Sequence, residues 1–179
     1  ITWTAPPESV RFNLFFSTNN GLTWRMIARN LTGSSYQWHV PAVANNKLQC
    51  KIRVVGYNEQ RKKIAAETSS GTFTIQVVRL TSLNGGQQLT SGSSSAIRWK
   101  TYSTAQDVAG IKLFYTLNGG RKWKKIERLT DNPGSYAWAV PDTNEARTEC
   151  KVKVVLKAAG GETVGSDESD GFFSISPAS

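Results

Sequence analysis

The stretch LFFSTNNGLTW at residues 14–24 recurs as LFYTLNGGRKW at residues 113–123, and this recurrence indicates a duplicated domain. Three further motifs recur in the same order: SYQWHVP at 35–41 with SYAWAVP at 135–141, CKIRVV at 50–55 with CKVKVV at 150–155, and GTFTI at 71–75 with GFFSI at 171–175. The copies are offset by 99 residues at the first motif and by 100 residues at the others. A period of about 100 residues is the size of one β-sandwich domain and is too long for a solenoid repeat.

Short strands are expected within each copy. In residues 50–55, apolar residues alternate with the cations Lys51 and Arg53, which is typical of a strand with one buried face. Further strands are expected at residues 14–18, 23–28, 35–40 and 71–75, separated by Gly, Asn, Ser and Pro. Because no segment shows a helical apolar period, almost no helix is expected. The sequence therefore predicts an all-β chain of two tandem immunoglobulin/fibronectin-III-like antiparallel β-sandwiches.

The predicted domains are residues 1–75 and 76–179, and the first of them is incomplete. Residues 77–96 precede the strand that contains Trp99, whereas only Ile1 and Thr2 precede the matching Trp3. We interpret this as a missing first strand, which a truncated sequence explains. The alternative is a strand supplied by another chain, because an open sheet edge invites strand addition.

The first hairpin resembles the Asp-box, S-x-D-x-G-x-T-W, which is familiar from sialidase propellers. Residues 17–24 match it with Asn in place of Asp, and residues 116–123 match it more loosely. Asn and Gly suit the tight turn, and the Trp is expected to fold over the hairpin. The predicted hairpin residues are Asn19, Gly21, Trp24, Asn118, Gly120 and Trp123. The alternative is a carbohydrate platform built on the two tryptophans.

The remaining repeated aromatic residues and the cysteines are expected in the cores. These predicted core residues are Trp3, Trp38, Cys50, Trp99, Trp138 and Cys150. One cysteine per domain excludes an intradomain disulfide, and buried free thiols act as small apolar groups. An exposed aromatic pair for stacking on sugars or bases is the alternative for the tryptophans.

The charged residues leave two candidate sites. The formal net charge is +9, and the basic clusters are Arg61, Lys62, Lys63, Arg121, Lys122, Lys124 and Lys125. They predict either an ordinary basic surface or a polyanion-binding surface. Asp167, Glu168 and Asp170 form an acidic cluster, interpreted as a solvated loop with Ca²⁺ binding as the alternative.

No catalytic or cofactor site is expected. His39 is the only histidine, and its counterpart in the second copy is Ala139, so a histidine triad or a multi-histidine zinc site lacks parts. No apolar run approaches the roughly 18 residues of a membrane span. We therefore expect no enzymatic activity, no cofactor and no membrane span.

Taken in order, the five shared motifs resemble the Ig/FnIII-like modules of secreted and cell-surface bacterial proteins. They also resemble, more distantly, the N-terminal domain of the fungal Kre9/Knh1 cell-wall family. The resemblance implies an extracellular or cell-surface structural, adhesive or assembly module pair within a larger protein, with a filament or surface-layer role included. It implies protein domains or subunits as partners, by strand addition at the first-domain edge, or a cell-surface glycan; nucleic acid is not expected. A carbohydrate-binding accessory of an extracellular enzyme and a basic polyanion-binding surface are the alternatives.

Overall fold

The alternating pattern of the sequence produces strands throughout the chain. The structure is a computed structural model that describes residues 1–178, and these residues form fourteen β-strands. No helix occurs among them, and in particular none with the length and apolarity that crossing a membrane requires.

The chain divides into two units by its internal contacts. Unit 1 comprises Ile1–Pro41 and Lys47–Ile75. Unit 2 comprises the short segment Ala42–Asn46 and the chain from Gln76 onward. The repeat pattern gave no indication that this segment belongs with the second copy.

Unit 1 is built on a single larger sheet. Its strands are β1 (Arg11–Ser17), β2 (Arg25–Leu31), β3 (Lys47–Tyr57), β4 (Lys63–Thr68) and β5 (Phe73–Ile75). The order is β2-β1-β3-β4, with β5 paired to the other end of β3. On the opposite side, the chain forms only an isolated bridge between Thr2 and Ser35.

Unit 2 contains two sheets. Its strands are β6 (Val78–Leu80), β7 (Gln88–Thr90), β8 (Ser94–Thr101), β9 (Gly110–Thr116), β10 (Lys124–Leu129), β11 (Ser135–Ala139), β12 (Arg147–Lys157), β13 (Thr163–Glu168) and β14 (Phe173–Ser176). The larger sheet has the order β10-β9-β12-β14-β7, with β13 also paired to β12, and the smaller sheet is β11-β8-β6. All pairings are antiparallel except β7 with β14, which is parallel.

The core of unit 2 is filled from both of its sheets. β12 places Val152, Val154 and Leu156 inward, and the smaller sheet contributes Ile97 and Trp138. The two sheets therefore pack face to face as a sandwich. Each such aliphatic side chain contributes roughly 1.5–3 kcal/mol when it is fully buried.

The core of unit 1 is smaller. Its buried apolar residues are Phe12, Leu14, Phe16, Cys50 and Ile75, whereas Val55, which is also buried, lies on the outer face of β3 with Arg53 and Tyr57. The alternation on β1 matches that of β9 in unit 2, where Ile111 and Leu113 are buried. The predicted all-β sandwich fold is confirmed: residues 1–178 form strands and no helix, and the two sheets of unit 2 pack face to face.

One predicted strand, at residues 35–40, is wrong for the first copy. The equivalent residues 135–139 form β11, because β8 lies alongside them from Ser94 to Arg98. In unit 1 only the stretch from Ile1 to Trp3 faces this segment, so pairing ends at Tyr36, which exchanges two backbone hydrogen bonds with Ile1. A strand forms only where a neighbouring strand pairs with its backbone N–H and C=O groups. The side-chain pattern of residues 35–40 does not reveal whether such a neighbour is present.

Candidate functional site

The first hairpin of unit 1 is held by a network of side-chain hydrogen bonds. The hydroxyl of Ser17 donates to Asn19 Oδ1 (2.9 Å) and accepts from the backbone N–H of Gly21 (2.8 Å). Asn19 Oδ1 also accepts from the backbone N–H of Thr23 (2.9 Å). Gly21 has φ +89°, and a Cβ built on it would lie 3.2 Å from the Trp24 ring. Any other residue at position 21 would therefore be strained by the positive φ and by close contact of its Cβ with the Trp24 ring.

The hairpin of unit 2 repeats these three hydrogen bonds, whereas the bond from Asn19 Nδ2 to Thr23 Oγ1 (2.9 Å) has no counterpart because Lys122 takes the position of Thr23. Thr116 Oγ1 donates to Asn118 Oδ1 (2.8 Å) and accepts from the backbone N–H of Gly120 (3.2 Å). Asn118 Oδ1 accepts from the backbone N–H of Lys122 (2.9 Å). The two copies thus use their Asn to close the turn that carries Trp24 or Trp123, which is a framework role.

Replacing Asn19 by alanine is expected to destabilise unit 1 by about 1 kcal/mol, because the buried Ser17 hydroxyl and the Thr23 N–H lose their acceptor. Asn19→Asp keeps the acceptor oxygens and should change the free energy of unfolding by less than about 0.5 kcal/mol. Asn118→Ala is the matched change in unit 2 and should behave in the same way. Urea unfolding measures all three; an equal loss for Asn19→Ala and Asn19→Asp would rule out the acceptor explanation.

Cations cover the tryptophan rings of both hairpins. The guanidinium carbon of Arg53 lies 5.8 Å from the centre of the Trp24 ring, and Lys153 Nζ lies 4.0 Å from that of Trp123. Lys153 also forms an ion pair with Glu168 on the neighbouring strand (3.1 Å). In each unit a cation of the longest strand therefore stacks on the hairpin tryptophan, an arrangement worth about 0.5–1 kcal/mol at exposed sites.

In unit 1 this stacked pair lies beside a shallow depression on the outside of the larger sheet. Phe15, Trp24, Arg53, Val55, Tyr57 and Lys63 line it, and it has a volume of about 210 Å³. We call these six residues the outer depression. Its lining combines two cations with three aromatic rings.

The seven predicted basic residues all lie on the surface. Arg61, Lys62 and Lys63 are exposed at the turn between β3 and β4, and Arg61 has φ +59°. Arg121, Lys122, Lys124 and Lys125 are exposed around the β9–β10 hairpin. None of the seven forms an ion pair within residues 1–178.

The predicted core tryptophans are buried to different extents in the two units. Trp99 and Trp138 are buried, whereas Trp3 and Trp38 are only half-buried. Trp138 packs against Tyr115 at a centroid distance of 5.5 Å, and Trp38 makes the matching contact with Phe16 at 5.2 Å. The contact is the same, but the covering of the Trp38 ring is less complete.

The two cysteines are buried free thiols. Each Sγ donates to a backbone carbonyl three residues earlier, Cys50 to Lys47 and Cys150 to Arg147, at 3.4 Å. Burial raises the pKa of both thiols, that of Cys150 to about 11. A thiol with such a pKa stays protonated and unreactive at neutral pH.

The three residues of the predicted acidic cluster have separate partners. Asp167 Oδ2 accepts from the backbone N–H of Leu80 (2.7 Å), Asp170 Oδ2 accepts from Asn84 (2.6 Å), and Glu168 pairs with Lys153. Within residues 1–178 no three His, Cys, Asp or Glu side chains are grouped as a metal would require. These carboxylates hold the segment around β13 in place.

Burial raises the pKa of Asp167, although the hydrogen bond from Leu80 N–H acts in the opposite direction. Folding therefore favours the protonated form, so stability should fall as pH rises from the ordinary value of 3.8 through the raised pKa, and then level off. Asp167→Asn removes this dependence. The measurement is the difference in unfolding free energy between the two proteins across that range; a difference that grows in favour of wild type with pH would mean that the hydrogen bond sets the pKa.

Asn46 is a structural residue that the sequence pattern did not single out. Its Oδ1 accepts from the backbone N–H groups of Val77 (2.7 Å) and Val78 (3.2 Å), and its Nδ2 donates to the carbonyl of Val78 (2.9 Å). Its partners are 31 and 32 residues away and belong to unit 2, as Asn46 does. A single Asn in a loop gives no indication of such a bond.

Comparison with known proteins yields likeness at the level of solved structures only. No family model and no curated protein matches the chain. The fibronectin(III)-like modules of Clostridium thermocellum CbhA align over 98% of this chain and 83% of that chain, with 12% identity and a TM-score of 0.43. The FN1–FN3 domains of chicken CNTN1 align over 99% and 60%, with 13% identity and a TM-score of 0.36. A 1.5-MDa bacterial ice-binding adhesin aligns over 95% and 55%, with 13% identity and a TM-score of 0.28.

Proposed function

We propose that the chain is a non-catalytic structural module pair of a larger extracellular or cell-surface protein, acting as a mechanical spacer in an adhesive or assembled protein. The motifs shared by the two copies are framework: turn-closing Asn, core Trp and buried Cys. Polar residues outside the framework differ, as His39 and Ala139 do. The two copies therefore share the residues that maintain the fold but not their other polar residues. This fits a structural role, which depends on the fold and not on a repeated binding site.

The observation that carries the proposal is the parallel pairing of β7 with β14. Gln88, Leu89 and Thr90 lie opposite Ser174, Ile175 and Ser176, so the first and last parts of unit 2 run side by side in the same direction. Tension applied to the two ends then pulls these strands in opposite directions along their axes. All of their hydrogen bonds resist together instead of opening one at a time, which suits a module that transmits force.

The test is to pull on the full chain from both ends and record its unfolding. Fully extended, roughly 100 residues span about 340 Å and roughly 75 residues span about 250 Å, so the two units give distinguishable length increments. We expect unit 2 to unfold at clearly higher force than unit 1, where β5 has no parallel partner among the described residues. If unit 2 unfolds at no higher force than unit 1, the mechanical role is contradicted.

Ser91→Pro is expected to lower the unfolding force of unit 2. The backbone N–H of Ser91 donates to the carbonyl of Ser176 (2.8 Å) at the end of this parallel pair, and proline cannot donate it. Ser91→Ala is the matched control, because it removes only the hydroxyl, which accepts from Thr143 N–H (2.9 Å). An equal drop in force for both variants would show that the hydroxyl, and not the parallel ladder, is responsible.

A second candidate function is polyanion binding, and the outer depression is the observation that favours it. Arg53 and Lys63 bring two cations together with the rings of Trp24 and Tyr57. Binding of a sulfated polysaccharide should then weaken steeply with salt, since each neutralised charge releases a counterion. Lys63→Glu should reduce this slope, and Arg98→Glu, at an exposed position of unit 2 outside the predicted basic clusters, is the control. Affinity that does not change with salt contradicts this function.

The carbohydrate-platform alternative has less support. It requires at least two exposed aromatic side chains aligned on one face. None of the six tryptophans is fully exposed, and those of the hairpins carry a cation on the ring.

A further inference from the structure

The two units differ at one edge of the larger sheet. In unit 2, β14 carries β7 on its outer edge. The equivalent strand of unit 1, β5, pairs only with β3 among the described residues. Because the two copies otherwise share their framework, unit 2 shows what occupies this edge when it is covered.

In unit 2 the segment that covers this edge, residues 83–90, is bound through its backbone. We call it the covering segment. Gly171 N–H donates to the carbonyl of Asn84 (3.0 Å), Gly86 N–H donates to that of Phe172 (2.7 Å), and Ser174 N–H donates to that of Gln87 (2.9 Å). The residues of unit 1 that correspond to the 171–174 side of this ladder are Gly71, Thr72 and Thr74, and all three are exposed. Unit 1 therefore presents the same backbone groups to solvent.

A pair of equivalent serines marks the same difference. Ser169 is fully buried, and its hydroxyl donates to the carbonyl of Leu83 in the covering segment (2.6 Å). Ser69 occupies the same position in unit 1, but its hydroxyl donates to the nearby carbonyl of Gly71 (3.0 Å). In unit 1 the Ser69 hydroxyl therefore donates to a carbonyl of its own loop. In unit 2 the equivalent hydroxyl donates to a carbonyl of the covering segment.

A second edge of unit 1 is open in the same way. In unit 2, Ala137, Trp138 and Ala139 pair with residues 94–96, and Val140 N–H donates to the carbonyl of Ser93 (2.8 Å). In unit 1 the backbone from 37 to 40 has no strand partner among the described residues. Val40 is 49% exposed, whereas Val140 is 3% exposed. An apolar side chain that the fold buries in one copy is thus left uncovered in the other.

We infer that unit 1 binds an extended segment that continues directly into Ile1 and has the chemistry of residues 83–96. This segment carries apolar side chains at the positions of Leu83 and Leu89 and small ones at 94–96. It runs parallel to β5 and antiparallel to residues 37–40.

Continuity with Ile1 follows from the register. The terminal amino group of Ile1 donates to the carbonyl of Tyr36 (2.9 Å), and Tyr36 N–H donates to the carbonyl of Ile1 (2.8 Å). This is the pairing of Ile97 with Tyr136 in β8 and β11. A strand that pairs with residues 37–40 in the same register must arrive at Ile1, so the same polypeptide is the favoured source. The inference does not depend on the mechanical role.

The test joins a copy of residues 83–96 directly to Ile1 of the full chain. Amide hydrogen exchange at Val40, Gly71 and Thr74 is expected to slow on the order of tenfold or more, since the equivalents of these N–H groups are bonded in unit 2. Exchange in β12 of unit 2 reports whether the protein has folded. The matched control is the same addition with Asp at the positions of Leu83 and Leu89, which should leave the three amides unprotected.

Two results would overturn the inference. One is unchanged exchange at the three amides in the extended protein, or equal protection by the Asp-containing control. The other is full protection of the original chain by a stoichiometric amount of the free peptide, which would assign the groove to a strand from a second molecule. Joining the segment raises its effective concentration to about the millimolar range, so the free peptide should protect only weakly.

Discussion

Replacing Trp138 by alanine is expected to destabilise unit 2 by about 3–5 kcal/mol, the range for truncating a buried aromatic side chain. The ring is 3% exposed and packs between Tyr115 (5.5 Å) and Phe173 (6.3 Å), where it joins the smaller sheet to the larger one. Truncation removes these contacts and leaves a cavity that rigid strands cannot close. Since a domain of this size has about 5–15 kcal/mol of stability, a large part of it would be lost.

The chain contains its own control for this prediction. Trp38 makes the same contacts, with Phe16 (5.2 Å) and Phe73 (6.2 Å), but is half-buried. Trp38→Ala should cost roughly half as much or less, because much of its surface remains in water in the folded state. Amide exchange in β12 and β3 reports the two units separately. Equal losses for the two variants would show that the covering of the ring does not determine its contribution.

The difference between these tryptophans also shows where sequence reasoning ends. Both were predicted as core residues, since SYQWHVP and SYAWAVP place the ring at the same point of the same motif. The motif fixes which face of the sheet the ring occupies. How deeply it is buried depends on the residues that lie across it, and for Trp38 the equivalents of residues 94–96 are not part of unit 1. A local pattern cannot report a missing neighbour.

The strands and the duplication were predictable because their physical cause is local. Alternation along residues 50–55 and 150–155 follows from the two-residue period of a strand, and β3 and β12 contain these residues. The turn residues Asn19 and Asn118 were also predictable, because each bonds within four residues of itself. The roles of Asp167 and Ser169 were not, since their partners Leu80 and Leu83 are 87 and 86 residues away.

Asn46→Ala is expected to destabilise unit 2 by about 2–4 kcal/mol. Its amide group is the partner of three backbone groups, the N–H of Val77, the N–H of Val78 and the carbonyl of Val78, and both valines are fully buried. Each buried polar group left without a partner costs about 1–3 kcal/mol, and relaxation or an entering water recovers part of the sum. The measurement is the urea-dependence of amide exchange in β12.

Asn45→Gly is the matched control for this change. Asn45 is exposed and has φ +62°, so glycine keeps the backbone conformation while removing the neighbouring amide side chain. Asn46→Asp tests the acceptor and the donor of this side chain separately, because it keeps the oxygens that accept from Val77 and Val78. It also places a carboxylate beside Asp167, whose Oδ1 lies 3.4 Å from Asn46 Nδ2. The repulsion should make this variant recover stability as pH falls and one carboxylate is protonated. An Asn46→Ala protein as stable as Asn45→Gly would mean that the backbone of Val77 and Val78 is satisfied without this side chain.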